Sequence, residues 1–252
     1  SSLADGQRVP AGELWTGSPA ASVGQHDRSH LPPRPAVTSG RLAFETVFFT
    51  VATFAIALIF FMPLFPTFVV VDYMLPDGPI DVDNFLLTGL QYALMAMPAS
   101  AILIFFTALL AATVRWIATP RINPGIYPVH GSMYYRKWLI NQIQDMSLFT
   151  LHSIYATVYA ASWFRLLGAK VGKRAEISTA VGTLPDMLEL GEESFIADAV
   201  MLGDDDIEGG WMTLRKTTVS DRSFVGNGAY VPDGTIIPPN TLIGVQSHTP
   251  PN

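Results

Sequence analysis

The sequence predicts a membrane α plus β protein: a transmembrane helical hairpin joined to a parallel β-helix, with the tail of another β-helix at its N-terminus. Two observations carry this. Residues 47–71 and 85–114 contain no charged side chain, and from residue 167 onward aliphatic residues recur every six positions. The composition agrees. Only 14% of the 252 residues are charged and 49% are hydrophobic, against about a quarter charged in soluble domains. A net charge of −6 with no basic stripe excludes nucleic acid as a partner. The absence of cysteine excludes disulfides, thiolate nucleophiles and Cys-based metal sites, and no other metal site is expected.

In chain order, residues 1–23 repeat the six-residue step at Leu3, Val9 and Trp15 and break it at Pro19. They are expected to be the closing coil of a preceding β-helix, and the chain an internal piece of a longer protein. Residues 24–43 form a linker in which Pro32, Pro33 and Pro35 exclude helix. Residues 44–72 and 85–116 are the expected transmembrane helices, each long enough for a hydrocarbon core of about 30 Å. Two buried helices of a soluble core are the alternative, but such helices usually keep a polar stripe. The turn at 72–84 carries Asp72, Asp77, Asp81 and Asp83, whereas Arg28, Arg34, Arg41, Arg115, Arg121, Arg136 and Lys137 flank the hairpin. The excess of basic residues places both ends and the β-helix in the cytoplasm, with the acidic turn on the outer side. Residues 117–166 interleave Tyr and Trp with basic residues. This composition suits helices lying along the membrane surface or a helical layer packed on the next domain.

Residues 167–248 carry the repeat. Val171 and Ile177 are in step. Leu184, Leu190, Ile196 and Leu202 follow after a one-residue slip, and Val219, Val225, Val231, Ile237 and Ile243 come after an insertion, GDDDIEGGWMTLRKTT. A period of six gives each short strand one inward aliphatic residue and a tight corner, the pattern of a parallel β-helix. Gly172, Gly191, Gly226 and Gly244 fall at repeat positions and need no phosphate-binding role. The stretch provides about four coils.

The stretches RLLGAKVGKRAEIS, LPDMLELGEESFIAD and TTVSDRSFVGNGAYVPDGTIIPPNTLIGVQS, preceded by YPVHGSMYYRKWLINQI, resemble one known region. It is the C-terminal part of membrane-bound ε-poly-lysine-synthetase-type nonribosomal peptide synthetases. The resemblance implies a left-handed β-helix of the hexapeptide-repeat acyltransferase kind, one of three tandem copies separated by membrane helices. It implies that an amino acid, a cationic one such as lysine, arrives as a phosphopantetheine-bound thioester from a carrier domain elsewhere and is joined to an amine. No cofactor is expected within this stretch. The implied partners are membrane lipid, adenylation and carrier domains, sister β-helices and the amino acid itself.

Aminolysis of a thioester needs a base and donors for the oxyanion. Hexapeptide-repeat acyltransferases typically use a histidine, and here none lies within the coils. His130, in the YPVHGS turn, is the candidate base, with Asp186 in LPDML and Asn227 on the VGNG corner as further catalytic candidates. His152 is the weaker alternative, read as packing in an apolar helix. Asp204, Asp205, Asp206 and Glu208 interrupt the repeat and are the candidate contacts for a cationic substrate, against the plainer reading of a solvated loop. A non-catalytic scaffold that shapes a shared site or membrane bundle is the alternative function.

Overall fold

The computed structural model describes residues 3–17, 19–27, 29–74, 84–119 and 121–249. Residues 1–34 form one unit and residues 35–252 another.

In the first unit, β1 (Glu13–Thr16) pairs antiparallel with β2 (Ala21–Gln25). Residues 1–23 carry the period of a closing coil, and within this chain Glu13–Gln25 pair as this hairpin. Parallel strands need a crossover of a dozen or more residues, and only four residues separate Thr16 from Ala21, so the chain closes on itself as a hairpin. Gly17, at φ 98°, starts the turn. Glu13 fixes the pair by accepting from Trp15 Nε1 at 2.8 Å and Ser22 Oγ at 2.9 Å.

The second unit opens with α1 (Ser39–Phe61), whose N-cap Thr38 accepts from the Arg41 amide. The helix stops at Met62 because Pro63 has no amide hydrogen to donate, and α2 (Leu64–Met74) resumes it. The expected acidic turn, 72–84, falls mostly outside the described residues. α3 (Phe85–Ala118) runs 34 residues and continues through Pro98. Both apolar segments are long enough to cross a membrane, and only 11% and 6% of their most apolar windows are buried. Their side chains point outward, unlike those of a soluble core helix.

Beyond α3 come β3 (Gly125–Pro128), α4 (Ser132–Leu151), a short 3-10 turn (His152–Ile154) and α5 (Ala160–Leu167). α5 ends on Gly168 at φ 115°, the left-handed position that glycine takes without a Cβ clash. These helices form a layer on the strands that follow: Trp163, Phe164 and Leu167 belong to one continuous core with Ala111 of α3 and with Ile177 and Leu190. The same layer exposes Phe149, Val158 and Tyr159.

The strand-rich region contains β4 (Lys170–Val171), β5 (Glu176–Ile177), β6 (Ala180–Val181), β7 (Leu188–Leu190), β8 (Phe195–Ile196), β9 (Val200–Asp204), β10 (Asp206–Glu208), β11 (Trp211–Leu214), β12 (Thr217–Val219), β13 (Phe224–Val225), β14 (Tyr230–Pro232), β15 (Ile236–Ile237) and β16 (Leu242–Ile243). All but β10 and β11 lie in three parallel sheets, ordered β15-β12-β7-β4, β16-β13-β8-β5 and β14-β9-β6. Each of the first three circuits gives one strand to each sheet, and the last gives β15 and β16, with His248 bridging to Tyr230. Register stacks Val171, Leu190, Val219 and Ile237 in one column and Ile177, Ile196, Val225 and Ile243 in the next. Leu202 and Val231 pair in the third.

Six of these inward residues (Ile196, Leu202, Val219, Val225 and Val231, with Ala229) are 0% exposed. The corners stack as tightly as the faces. A Cβ on Gly226 would come 2.7 Å from the Val245 amide nitrogen, and one on Gly172 2.6 Å from the Glu192 amide nitrogen. Leu184 departs from its expected column. It joins Met187, Ile122, Ile140, Met212 and Leu214 in a side cluster under α4, because the 3-10 turn Pro185–Met187 lifts the chain out of register.

The acidic insertion is not a free loop. Asp206–Glu208 and Trp211–Leu214 make an antiparallel hairpin around Gly209 and Gly210, both at positive φ, and β11 pairs antiparallel with β3. Met212 and Leu214 anchor it, at 0% and 3% exposure.

Candidate functional site

Two charged clusters occupy the seams between helices and strands. At the first, the last turn of α3 meets the end of α5. Arg115 is 1% exposed. Its Nε donates to the Leu167 carbonyl at 3.1 Å, one terminal nitrogen to the Thr119 carbonyl and hydroxyl, and the other to Asp186 Oδ2 at 2.5 Å. Asp186 also accepts from the Ile122 amide at 3.2 Å. Burial pushes the Asp186 carboxyl up, and Arg115 with the Ile122 amide pulls it back. Neither residue retains a buried atom without a partner. The 3-10 turn at 185–187 is what aims Asp186 at α3.

The second cluster lies where α4 crosses the insertion. Tyr134, Lys137, Trp138 and Asn141 of α4 face Asp204, Asp205 and Ile207 across a cleft of about 390 Å³. Lys137 forms an ion pair with Asp205 Oδ1, their side chains 10% and 5% exposed. Asp205 Oδ2 is buried and has no partner. Burial and the neighbouring Asp205 carboxylate push Asp204 up, while Lys137 pulls it down. On the next circuit Pro232 pairs with Asp204, so Asp233 follows directly. Its Oδ1 accepts from the Arg215 amide at 2.8 Å and its Oδ2 is buried without a partner. Burial raises Asp233 to about 6, with Asp205 and Asp206 adding to the effect. Tyr230, beside these four carboxylates, is also held above its ordinary value, and its ring packs against that of His248 at 5.0 Å.

The candidate residues therefore do not converge. Asp204, Asp205 and Asp206 come together, with Glu208 further along β10 opposite Trp211. Among the described residues, His130, Asp186 and Asn227 share no partner and no cleft. His130 Nδ1 lies 2.9 and 3.0 Å from the two oxygens of Glu45, on α1. Glu45 is 9% exposed and also accepts from Tyr135 Oη at 2.6 Å. Against a carboxylate, Nδ1 is the nitrogen that carries the proton, so that in the neutral tautomer Nε2 is the acceptor. Asn227 is exposed on its corner, where Oδ1 accepts from the Asp198 amide at 3.2 Å. His152 is exposed rather than packed, because the helix has passed into a 3-10 turn there.

Sequence reasoning missed Glu45, Lys137, Asp233 and Arg115 as partners. They lie 85, 68, 28 and 71 residues from His130, Asp205, Asp205 and Asp186, and no local pattern links them. The faint signals were a lone acid near the start of an apolar helix and a lone arginine at the end of another.

No protein-family model matches the chain. It is 52% identical over 246 residues to Delta-poly-L-ornithine synthetase of Acinetobacter baumannii (strain AB307-0294). The chain is related to a poly-amino-acid synthetase. The match takes in 97% of this chain and 18% of that protein, so the chain spans under a fifth of its relative's length. The relative is named for ornithine, where the sequence resemblance pointed to lysine.

Among solved structures, serine acetyltransferase isoform 3 of Entamoeba histolytica, in complex with cysteine, aligns with 74% of this chain and 72% of its own at 13% identity and a TM-score of 0.21. Serine acetyltransferase 1 of the same organism, in complex with L-cysteine, aligns with 72% and 74% at 17% identity and a TM-score of 0.17. At these scores the likeness carries no argument.

Proposed function

We propose that the chain is the membrane-anchored, amide-bond-forming part of a synthetase that polymerises a cationic amino acid. The observation that carries this reading is the 52% identity to a poly-amino-acid synthetase over 97% of the chain. The outward apolar faces of α1–α3 lie in the bilayer, both ends are cytoplasmic, and the circuits form a left-handed hexapeptide-repeat β-helix. A carrier domain elsewhere delivers the amino acid as a phosphopantetheine thioester. The incoming amine attacks the thioester carbonyl, the C–N bond forms, the C–S bond breaks, and the thiol leaves with the proton that the base has taken from the amine.

His130, held through Nδ1 by Glu45, is the base candidate on this chain, since its Nε2 has no hydrogen-bond partner among the described residues. Asp204, Asp205, Asp206 and Glu208 face the cationic amino acid. In the intact synthetase, His130→Gln is expected to reduce polymer output by about 100-fold or more while membrane expression is retained, as loss of a general base does. Unchanged output would remove His130 from the chemistry.

One observation favours a second reading, in which this copy is a scaffold for a site completed by a sister domain. Asp186 is committed to Arg115 and Asn227 to a corner amide, and neither stands near His130. Asp204→Asn, Asp205→Asn and Asp206→Asn combined decide between the two: normal polymer output from this triple variant supports the scaffold.

A further inference from the structure

The cleft between α4 and the insertion holds more negative charge than its partners neutralise. Among the described residues, Lys137 is the one cation in an ion pair with these carboxylates, through Asp205 Oδ1. Asp204 lines the same cleft, Asp206 is exposed beside it, and Asp233 lies one circuit away, close enough for Asp205 and Asp206 to act on it. Asp205 Oδ2 is the telling atom. It belongs to a side chain 5% exposed and accepts nothing. A buried carboxylate oxygen without a donor costs about 1–3 kcal/mol or more, so the fold keeps an acceptor it does not use. Among the described residues no three carboxylates or imidazoles converge to hold a metal ion. The remaining walls of the cleft include Tyr134 and Trp138, whose ring faces attract organic cations.

We propose that Asp204 and Asp205 form a binding site for a primary alkyl-ammonium group, which donates to Asp205 Oδ2 beside Lys137 and rests against Tyr134 and Trp138. The site reads the side-chain ammonium of a basic amino acid or of a residue in its polymer, and Lys137 leaves room for one further cation. The raised carboxyls of Asp204 and Asp233 are those a second positive charge would bring down. The assignment rests on the reading of the chain as part of a synthetase for a cationic amino acid, but the binding itself needs no turnover.

Titration calorimetry on the purified chain in detergent tests it, with L-ornithine against L-norvaline, which has the same carbon chain without the terminal ammonium. Saturable binding of ornithine and none of norvaline is expected. Asp205→Asn and Asp204→Asn are each expected to weaken ornithine at least tenfold, and Glu189→Gln, on an open face away from the cleft, by less than threefold. Circular dichroism reports folding. Asp204→Asn keeps the Lys137–Asp205 pair intact and decides the matter if Asp205→Asn unfolds. Equal binding of norvaline, no binding by the unaltered chain, or unchanged affinity in Asp204→Asn overturns the site. Ornithine binding that depends on Asp204, together with normal polymer output from the same variant in the intact synthetase, upholds the site and overturns the amide-forming role of this cleft.

Discussion

Two buried ion pairs among the described residues are built alike and finished differently. Arg115–Asp186 joins α3 to the strand circuits with every buried polar atom bonded. Lys137–Asp205 joins α4 to the insertion and leaves one carboxylate oxygen bare. A saturated pair can only hold elements together. A pair with a spare acceptor can also receive a ligand, and it stands in a cleft wide enough to admit one. The difference lies in the partners rather than in the charges themselves. Arg115 spreads its donors over two carbonyls, a hydroxyl and a carboxylate, whereas the lysine of the second pair is a point charge that one oxygen occupies.

The contrast breaks first if the saturated pair proves dispensable. Asp186→Ala strands a guanidinium that is 1% exposed, and removal of one partner of such a pair costs about 3–5 kcal/mol. Thermal unfolding in detergent should show a larger loss for this substitution than for any of those that follow.

Asp233→Asn should act in the opposite direction and only at higher pH. Burial lifts this carboxyl from 3.8 to about 6, helped by Asp205 and Asp206 and opposed by Arg215. Between those two values the folded protein still holds a proton that the unfolded chain has released. Stability contributed by the protonated group is therefore complete below about pH 4 and is lost as pH rises through 6. The variant should be more stable than the parent by about 1–3 kcal/mol at pH 8, allowing for solvent screening, and equal to it near pH 4. Melting temperatures compared at the two pH values measure the difference.

Asp205→Asn should cost less than Asp186→Ala, about 1–2 kcal/mol, because Asp204 still faces Lys137 and the cleft admits water. A loss as large as that of Asp186→Ala in the same assay would make the two pairs equivalent and erase the contrast. Glu189→Gln marks the lower end. Its ion pairs with Lys170 at 2.8 Å and Lys216 at 2.9 Å lie on an open face, and such pairs contribute about 0–1 kcal/mol. The loss should disappear in high salt.

The six-residue period was legible because each circuit repeats the same local demand: one aliphatic residue inward, then a tight corner. Val219 to Ile243 keep that step through to the columns observed. The apolar stretches were legible for a similar reason, as runs of uncharged residues interrupted only by polar and proline positions. What could not be read were pairings set by tertiary position. Nothing near Asp205 indicates Lys137, and nothing in Trp211–Leu214 indicates that it will pair with β3, more than eighty residues earlier in the chain. The hairpin at 13–25 was not legible either. Leu3, Val9 and Trp15 keep the six-residue step, and nothing in that step signals the antiparallel pairing of Glu13–Thr16 with Ala21–Gln25.

A hinge would join the end of α3 to α5 at one point, and the molecule joins them at two. Arg115 Nε donates to the Leu167 carbonyl and Trp116 Nε1 to the Leu166 carbonyl, at 3.1 and 2.8 Å. Two fasteners side by side remove the freedom that a single pivot would keep. The end of α3 is thereby fixed in orientation to α5, whose Trp163, Phe164 and Leu167 share one core with the strand circuits.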